Sequence, residues 1–564
     1  MKHFLRFILL TAVLGTCLYF AYNIYEDTGT ALRGSSSKAL QHYYDKVRAS
    51  DINDGKIGLL LNDQKAAVDT DRLLMSDDLE LMMPADEVND LFNCSVAYLA
   101  DGSIRITGEN DGCILTPSAS EDEDASEADR ICISTADGRI LVSVSWLADF
   151  FDYTYEWSDD DNTAYLKAPK SMAPLLPESY DLRSADKVSP VRNQGSWGTC
   201  WAFAALSAVE SVLLPEEEWQ FSADHLVHHH GFKIDINDGG DYNMALAYMA
   251  SWRGPVTEEA DPYDDGESPD GLQSAIHLQD AIILKERDAE QIKRLIYSCG
   301  AVQSAIYSRP DFQEISRYYN TETAAYYYPL KQECNHDITI IGWDDNYPKE
   351  NFTGQPEHDG AYICKNSWGA SFGKDGYFYI SYDDPNIGIY GIAYTGIEPA
   401  DNYDTVLQSD LLGWTGSIGY NDPEAWFANV FTADGDADVC AASFYATDPD
   451  TWYDIYLVRD FSDSASLNSR QLLQSGYLPE KGYFTIPFDQ PGSVDAGESF
   501  AVIVHIRTRD SVHPVAIEYP ANEVTQTADL TDGEAYMSFN GSAWSSMEQE
   551  AHCNACLKAF LKRR

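Results

Sequence analysis

Short apolar runs set between turn-forming residues dominate the hydrophobic pattern along most of the chain. Segments rich in β-branched and aromatic residues, such as 338–343, 452–458 and 499–506, favour strands. The apolar stretch from Trp201 to Leu214 instead predicts a helix that begins directly after a glycine-containing turn. The pattern therefore indicates a chain of mixed helix and strand, with the strand signals concentrated after about residue 400.

The N-terminal segment has the pattern of an export signal. Lys2 and Arg6 precede an uncharged apolar run, Phe7–Tyr25, and this charge distribution directs the rest of the chain outward. As a helix the run is just long enough to span a bilayer of about 30 Å. We expect residues 1–31 to be a transmembrane anchor or a cleaved signal peptide; a lipid-modified Cys17 is the weaker third alternative. Each alternative predicts an extracellular or cell-surface protein, and the membrane anchor is the favoured one.

Two later segments repeat one pattern. Residues 81–98 and 141–157 each read as a strand, an amphipathic helix, and a second strand with a turn, and the acidic run 121–129 lies between them. The pattern resembles the copper amine oxidase N-terminal-like repeat of bacterial surface proteins. The two segments contain no histidine, so they predict no copper site. We expect residues 40–170 to form a stalk of small α/β repeats; whether residues 32–175 also act as an inhibitory pro-region stays open.

Composition narrows the function classes. The chain of 564 residues is 44% hydrophobic and 23% charged, which is ordinary for a globular protein. It has 91 acidic and 38 basic residues, and its formal net charge of -53 repels phosphate backbones. We therefore exclude nucleic acid as a partner. Eleven cysteines are too few for a disulfide scaffold in a chain of this length.

The strongest chemical signal is a cysteine at the predicted start of the helix. Cys200 follows the turn Gln194–Thr199, and a thiol at a helix N-terminus feels the positive end of the dipole, which favours the thiolate. The side-chain amide of Gln194, on the same loop, is a candidate oxyanion donor together with the backbone N–H of Cys200. The two residues therefore predict a nucleophile and its oxyanion hole.

A nucleophilic cysteine also needs a base and a group that orients the base. His336 stands at the head of a β-branched strand, and Asn366 ends another strand, with Trp368 close behind it. The Asn366 carbonyl is expected to hold the imidazole N–H, and Trp368 to shield that bond from water.

These residues resemble the papain family of cysteine peptidases. The signature reads Trp197-Gly-Thr-Cys-Trp201, and His336 lies within the roughly 130–150 residues that usually separate nucleophile and base, with Asn366 somewhat beyond. The resemblance covers residues 176–398. It implies an α+β, papain-like two-lobed fold, with a helical lobe and a β lobe, that needs no metal or other cofactor. It also implies that Gly239, Gly240 and Trp368 line the substrate cleft.

Two features depart from the family pattern. Trp197 stands where papain has a disulfide-forming cysteine, so that bridge is absent. The region before residue 176 lacks the long helical inhibitory segment of the plant and lysosomal enzymes, which leaves activation by propeptide removal in doubt. Neither departure changes the candidate catalytic residues.

Residues 401–564 have the pattern of a β-sandwich, with strand segments at short intervals between turns. The segment resembles the lectin-like jelly-roll domain that follows papain-like domains in some Gram-positive surface proteins. Trp426, Trp452 and Trp544 are candidate sugar-stacking rings, and burial in the core is the alternative for each. The domain is thus expected either to bind surface carbohydrate or to pack passively.

We therefore predict an exported cysteine endopeptidase that acts on protein or peptide substrates through Cys200, His336, Asn366 and Gln194. A cell-wall peptide amidase or transpeptidase would use the same residues, and a surface adhesion protein would use the C-terminal domain alone. The histidines near the end of a predicted helix, residues 225 and 228–230, lack the spacing of a metal site, and no metal is expected.

Overall fold

The structure is a computed structural model. It describes residues 58–167 apart from 62–63, 66–71, 76–79, 93–94, 100–101, 108–111, 120–130, 136–138, 152 and 159–162, and residues 176–564 apart from 265, 310–315, 509–510 and 532–533. The described residues fall into two compact units, one within 43–174 and one within 175–564. The predicted anchor or signal segment, residues 1–31, lies outside the described residues. Among those that are described, no helix is both long and apolar enough to cross a membrane.

The first unit is built of short strands around a small apolar core. Its strands are β1 Gly58–Leu61, β2 Gln64–Lys65, β3 Leu74–Met75, β4 Leu81–Pro84, β5 Ser95–Tyr98, β6 Ile104–Thr107, β7 Gly112–Leu115, β8 Ser118–Ala119, β9 Cys132–Ser134, β10 Ile140–Ser143, β11 Thr154–Ser158 and β12 Thr163–Lys167, and its helices are α1 Val88–Phe92 and α2 Val144–Phe150. Both segments predicted as repeats fold as strand, short helix and strand, and their first strands pair antiparallel, with Met83 opposite Val142. The resemblance to copper amine oxidase repeats stays a prediction.

The second unit begins with a two-lobed domain. Its helices are α3 Cys200–Leu213, α4 Ala223–His229, α5 Tyr242–Ala250 and α6 Ala289–Ser298, and its strands are β13 Ser179–Asp181, β14 Ile276–Ile283, β15 Val302–Ile306, β16 Tyr319–Asn320, β17 Ala325–Tyr326, β18 His336–Asp344, β19 Ala361–Lys365, β20 Tyr377–Ser381 and β21 Gly391–Pro399. Helix α3 is buried from Trp201 to Ser211, because most of its residues are apolar. One apolar core surrounds α3 to α5, and a second lies within the β-rich lobe. The predicted papain-like two-lobed fold is confirmed.

A β-rich domain follows. Its strands are β22 Thr405–Leu407, β23 Gly416–Ile418, β24 Glu424–Thr432, β25 Ala437–Ala446, β26 Thr451–Val458, β27 Gln471–Leu478, β28 Gly482–Val494, β29 Ser499–Thr508, β30 Val515–Glu518, β31 Glu534–Ser538, β32 Ser545–Ser546, β33 Asn554–Ala555 and β34 Leu557–Arg563, and one helix, α7, spans Met547–Glu550. Strands β27, β26, β29, β24, β31 and β32 form one sheet. Strands β28, β25, β34 and β22 belong to a second sheet. The expected β-rich domain is confirmed.

This second sheet is shared by both domains of the unit. Strand β14 pairs with β21 on one side and with β28 on the other, where Ala281 lies opposite Tyr483 and Ile282 opposite Gly482. A Cβ at Gly482 would lie 2.0 Å from the Ala281 carbonyl oxygen, so the pairing needs glycine there. The core around α3 also includes Tyr445 and Tyr483 from the β-rich domain. The sequence does not predict this continuity.

Candidate active site

Cys200 is the first residue of α3, as the sequence predicts to within one position. The preceding residue, Thr199, is fully buried, and its hydroxyl lies 2.7 Å from that of Tyr263, which fixes the loop just before the helix. The backbone N–H of Asp337 donates to the Cys200 Sγ at 3.5 Å. Because Asp337 directly follows His336, strand β18 brings the imidazole residue to the thiol.

The structure brings His336, Asn366 and Trp368 together as predicted. The Nε2 atom of His336 lies 2.9 Å from Oδ1 of Asn366. Oδ1 also accepts from the backbone N–H of Ser367 at 2.8 Å, so this end of the amide is the acceptor and Nε2 carries the proton. Nδ1 is then left with a free lone pair. The Trp368 ring stacks on the imidazole at 4.6 Å between centroids, which covers the hydrogen bond to Asn366.

Gln194 is held on three sides. Its backbone N–H donates to the Ser367 carbonyl at 2.8 Å, and its Oε1 accepts from the Ser367 hydroxyl at 2.7 Å. Its Nε2 donates to the Trp197 carbonyl at 2.8 Å. An amide nitrogen carries two protons, so one N–H remains for a ligand. Ser367 is a part of the site that sequence reasoning missed, although it stands next to Asn366 in the chain.

Gly240 packs against Trp201, the residue that follows the candidate nucleophile, and Gly239 directly precedes Gly240 in the chain. A Cβ at Gly240 would lie 2.4 Å from the Trp201 ring, and Gly239 has a φ of +84°. Glycine is therefore required at both positions, at Gly239 for its backbone conformation and at Gly240 for close packing. The two glycines that the resemblance assigns to the substrate cleft therefore lie next to the start of α3.

Burial decides whether Cys200 and His336 are charged before substrate binds. Burial, reinforced by the nearby Asp337 carboxyl, raises the pKa of the Cys200 thiol to about 12. Burial also lowers the pKa of His336 to about 4. Each group alone is therefore neutral, because a lone charge out of water is costly. This differs from the sequence-based expectation of a stable thiolate: the helix dipole acts on the thiol, but burial outweighs it.

Asp337 is a second residue that sequence reasoning missed. Its carboxyl is buried, and its Oδ2 accepts from Gln303 Nε2 at 2.6 Å. The Gln303 amide is fixed in turn by the Tyr394 hydroxyl, which donates to Oε1 at 2.9 Å. Burial, with a contribution from the charge of Asp241, raises the Asp337 pKa to about 7. A titratable carboxyl therefore stands beside the thiol, with no basic partner within ion-pair distance among the described residues.

A buried lysine anchors the strand that carries Asn366. The Lys365 Nζ donates to the Ser189 carbonyl at 2.8 Å and to the Ser207 hydroxyl of α3 at 2.9 Å. The buried Glu210 carboxylate raises the lysine pKa, but burial dominates and lowers it to about 8. These contacts tie the end of β19 to the helix that begins with Cys200.

The histidines at the end of α4 serve packing contacts. His225 Nδ1 lies 2.7 Å from the Tyr248 hydroxyl, and its ring stacks on that of His229. The His230 ring packs edge-on against Trp201. Among the residues the structure describes, no group of three or more His, Cys, Asp or Glu side chains is arranged to hold a metal ion.

The candidate sugar-stacking rings of the β-rich domain are mostly covered. Trp452 is buried. Trp426 has His505 stacked on it at 4.0 Å between ring centroids and Arg470 over the ring at 4.4 Å. Trp544 is partly buried in the core beneath this sheet. Neither Trp426 nor Trp452 therefore presents an open face for a sugar.

Comparison with known proteins agrees with this geometry. Residues 176–397 match the family model for papain family cysteine proteases, and residues 406–561 match the model for a lectin-like domain. Residues 176–397 are thus similar to papain family cysteine proteases. The predictions of a papain-like hydrolase domain and of a lectin-like domain after it are confirmed.

Individual relatives cover part of the chain. A viral cathepsin of Heliothis zea nuclear polyhedrosis virus is 29% identical over 36% of this chain and 52% of its own length. Ananain of Ananas comosus is 27% identical over 40% of this chain and 61% of its own length. This chain thus spans less than two thirds of these curated relatives.

Two solved structures share the fold of both domains. The clostridial cysteine protease Cwp84, in its form after propeptide cleavage, has a TM-score of 0.62 and 24% identity, over 68% of this chain and 99% of that chain. A structure of the cysteine protease and lectin-like domains of Cwp84 from Clostridium difficile has a TM-score of 0.60 and 22% identity, over 70% of this chain and 91% of that chain. The arrangement of a protease domain followed by a lectin-like domain is therefore one already seen in solved structures.

Proposed function

We propose that the chain is an exported cysteine endopeptidase that hydrolyses peptide bonds. Cys200 is the nucleophile, His336 the base, and Asn366 the residue that orients the imidazole. Gln194 Nε2 and the Cys200 backbone N–H form the oxyanion hole. The observation that carries the proposal is the bond between His336 Nε2 and Asn366 Oδ1, because it leaves Nδ1 as the base on the strand that contacts Cys200 Sγ.

The reaction starts from the neutral pair. As Sγ attacks the scissile carbonyl, its proton passes to His336 Nδ1, so both charges form together and stabilise one another. The oxyanion then accepts hydrogen bonds from Gln194 and the Cys200 N–H. When the thioester forms, the imidazolium returns the proton to the leaving amine. Water, deprotonated by the same imidazole, hydrolyses the thioester and restores the thiol.

The activity is tested on the full chain with internally quenched peptide libraries and with purified cell-wall peptides. We expect cleavage within peptides, and we expect Cys200→Ala to abolish it. Asn366→Ala should lower turnover less than Cys200→Ala does, because water can partly replace an orienting group. If wall peptides alone are cleaved or joined, the enzyme is a wall amidase or transpeptidase; cleavage of neither would contradict the proposal.

We further propose that the protein acts at the cell surface. The charge pattern around Phe7–Tyr25 supports export, and the similar Cwp84 is described as a surface layer associated protein. Cells that express the full chain are fractionated and shaved with protease. Full-length protein in the membrane pellet that shaving removes supports an anchor. Soluble protein in the medium that begins near Leu32 would replace the anchor with a cleaved signal, and protein that stays inside the cell would contradict export.

A further inference from the structure

A cavity of about 420 Å³ lies where the protease domain meets the lectin-like domain. Helix α5 and strand β14 of the protease domain form part of its wall, and four segments of the lectin-like domain form the rest. The lining side chains include Tyr242, Trp414, Ser417, Thr447, Asp448 and Lys481. This lining is mainly polar, and it belongs to neither domain alone.

Lys481 is fixed at the junction of the two domains. Its carbonyl accepts from the Ile283 N–H at 2.9 Å, and the next residue, Gly482, pairs with Ile282. On its other side, Glu480 accepts from Gln291 Nε2 of α6 at 2.7 Å. The backbone of Lys481 is therefore tied to the protease domain, although the residue belongs to the lectin-like domain. A ligand held here is bound by both domains together.

The Lys481 ammonium has unused bonding capacity. Its Nζ lies 4.9 Å from the centre of the Trp414 ring, and it has no hydrogen-bond or ion-pair acceptor among the described residues. Burial lowers its pKa, with the charge of Asp448 opposing the change. Other polar groups of the wall are engaged: Ser417 accepts from Trp414 Nε1 at 3.0 Å, and the Thr447 hydroxyl lies 3.4 Å from that of Ser511. The Lys481 ammonium therefore makes no direct hydrogen bond or ion pair within the described wall, although the Asp448 carboxylate lines the same cavity and acts on it at longer range.

Tyr242 lines the cavity and stands close in the chain to the glycines assigned to the candidate cleft. This residue begins α5, two positions after Gly240, whose Cα packs on Trp201 beside Cys200. Burial, with smaller contributions from the charges of Asp241, Tyr390 and Asp337, raises the pKa of the Tyr242 phenol. His336 must return its proton to the leaving amine, so the amine side of a substrate lies toward His336 and Trp368. With its leaving amine at His336 and its acyl carbon on Sγ, a substrate would have its acyl side on the Gly240 side of Cys200, in the direction of Tyr242.

We propose that the cavity is a substrate subsite in which Lys481 binds an acidic side chain on the acyl side of the scissile bond. The inference rests on the proposed peptidase activity and names a substrate feature: an Asp or Glu a few residues before the cleaved bond. A carboxylate in the cavity would form a charge-assisted hydrogen bond with an ammonium that is already positioned and partly desolvated. The lectin-like domain thus contributes to peptide recognition.

The test uses full-length protein and pairs of quenched peptides that differ only by Glu or Gln at one acyl-side position, with the position varied from the second to the sixth. We expect one position at which the Glu peptide has a KM about tenfold lower than the Gln peptide, the size of one charge-assisted hydrogen bond. Lys481→Met should remove that preference with kcat nearly unchanged, and Lys481→Arg should retain it. Lys562→Met is the matched control, because Lys562 is also a lysine over an aromatic ring of the same domain, Tyr403.

The outcomes separate the two claims. Loss of the Glu preference in Lys481→Met but not in Lys562→Met supports the subsite. Efficient cleavage with equal KM values for every Glu and Gln pair would overturn the subsite and leave the peptidase activity intact. An equal rise in KM for both peptides in Lys481→Met would also overturn it, since that indicates a general structural effect. Absence of any cleavage would contradict the proposed function itself. Thermal unfolding of each variant checks that the fold is retained.

Discussion

The hydroxyl of Ser367 donates a hydrogen bond of 2.7 Å to Oε1 of Gln194. Both side chains are buried, and the backbone of Ser367 also donates to Asn366 Oδ1. One residue therefore orients the candidate oxyanion donor and the amide that holds the imidazole. The two halves of the site, on the loop before α3 and at the end of β19, are linked through this serine.

Ser367→Ala should lower kcat with little change in KM. Without the hydroxyl, Gln194 loses the contact that fixes its amide, so the oxyanion meets a less ordered donor. We expect a loss of about tenfold, smaller than the hundredfold or more that removal of an oxyanion donor costs. Steady-state kinetics on the best peptide measure it, with Ser298→Ala on the exposed end of α6 as control. Recovery of kcat in Ser367→Thr would support a role of the hydroxyl in positioning Gln194. A rise in KM as large as the fall in kcat would instead indicate that the fold is disrupted.

Asp337 should make the reactivity of Cys200 depend on pH around neutrality. Its pKa is raised to about 7 by burial, and its ionised form raises the pKa of the thiol. Above that pH, Asp337→Asn should therefore lower the pKa of Cys200 and speed its alkylation by iodoacetamide about three- to tenfold. Below about pH 5 the wild-type carboxyl is protonated, and the two proteins should react alike. Identical rate–pH curves for the two proteins would show that Asp337 does not influence the thiol.

Gly482→Ala should weaken the coupling between the protease and lectin-like domains. The new Cβ would meet the Ala281 carbonyl oxygen at 2.0 Å, so β28 must shift away from β14. We expect a loss of roughly 1–3 kcal/mol in the free energy of unfolding, typical of overpacking. Calorimetry should show a lower melting temperature or a split transition. Gly435→Ala is the control, because its Cβ would have no atom within 4 Å; equal effects in both variants would contradict a cross-domain constraint.

Reducing agent should leave the fold intact. The described cysteines, Cys200 among them, are all free of disulfides, and the tryptophan at 197 replaces the partner cysteine of the papain bridge. The melting temperature should therefore be the same with and without dithiothreitol, while activity is preserved by keeping Cys200 reduced. A clear fall in melting temperature would indicate a disulfide that matters to stability.

The residues proposed as catalytic are predictable because their signals are local. Cys200 follows a turn and opens an apolar helix. His336 begins a strand rich in β-branched residues, and Asn366 directly follows a short buried strand. Each position is set by elements a few residues long, which the hydrophobic pattern specifies. The structure places His336 Nε2 within hydrogen-bond distance of Asn366 Oδ1, and the next residue of the same strand against Cys200 Sγ; their catalytic roles stay predictions.

The remaining features depend on contacts between distant parts of the chain. Burial and the charge of Asp241 raise the pKa of Asp337, and the pairing of β14 with β28 joins residues about 200 positions apart. No turn or periodicity marks such contacts. The charge state of Cys200 is likewise not predictable from local sequence. Its position at a helix start predicts a thiolate, whereas burial by the surrounding fold favours the neutral thiol.

The central claim is that Cys200 is a nucleophile activated by His336, and its most direct test is site-resolved labelling of the native full-length protein. The protein is treated with an epoxide or iodoacetamide probe at neutral pH, and the rate at each cysteine is measured by peptide mass spectrometry. We predict that Cys200 reacts far faster than the other ten cysteines, and that His336→Ala removes this selectivity, because the thiol then has no proton acceptor. Comparable labelling of several cysteines in the native protein, or unchanged selectivity in His336→Ala, would contradict the account.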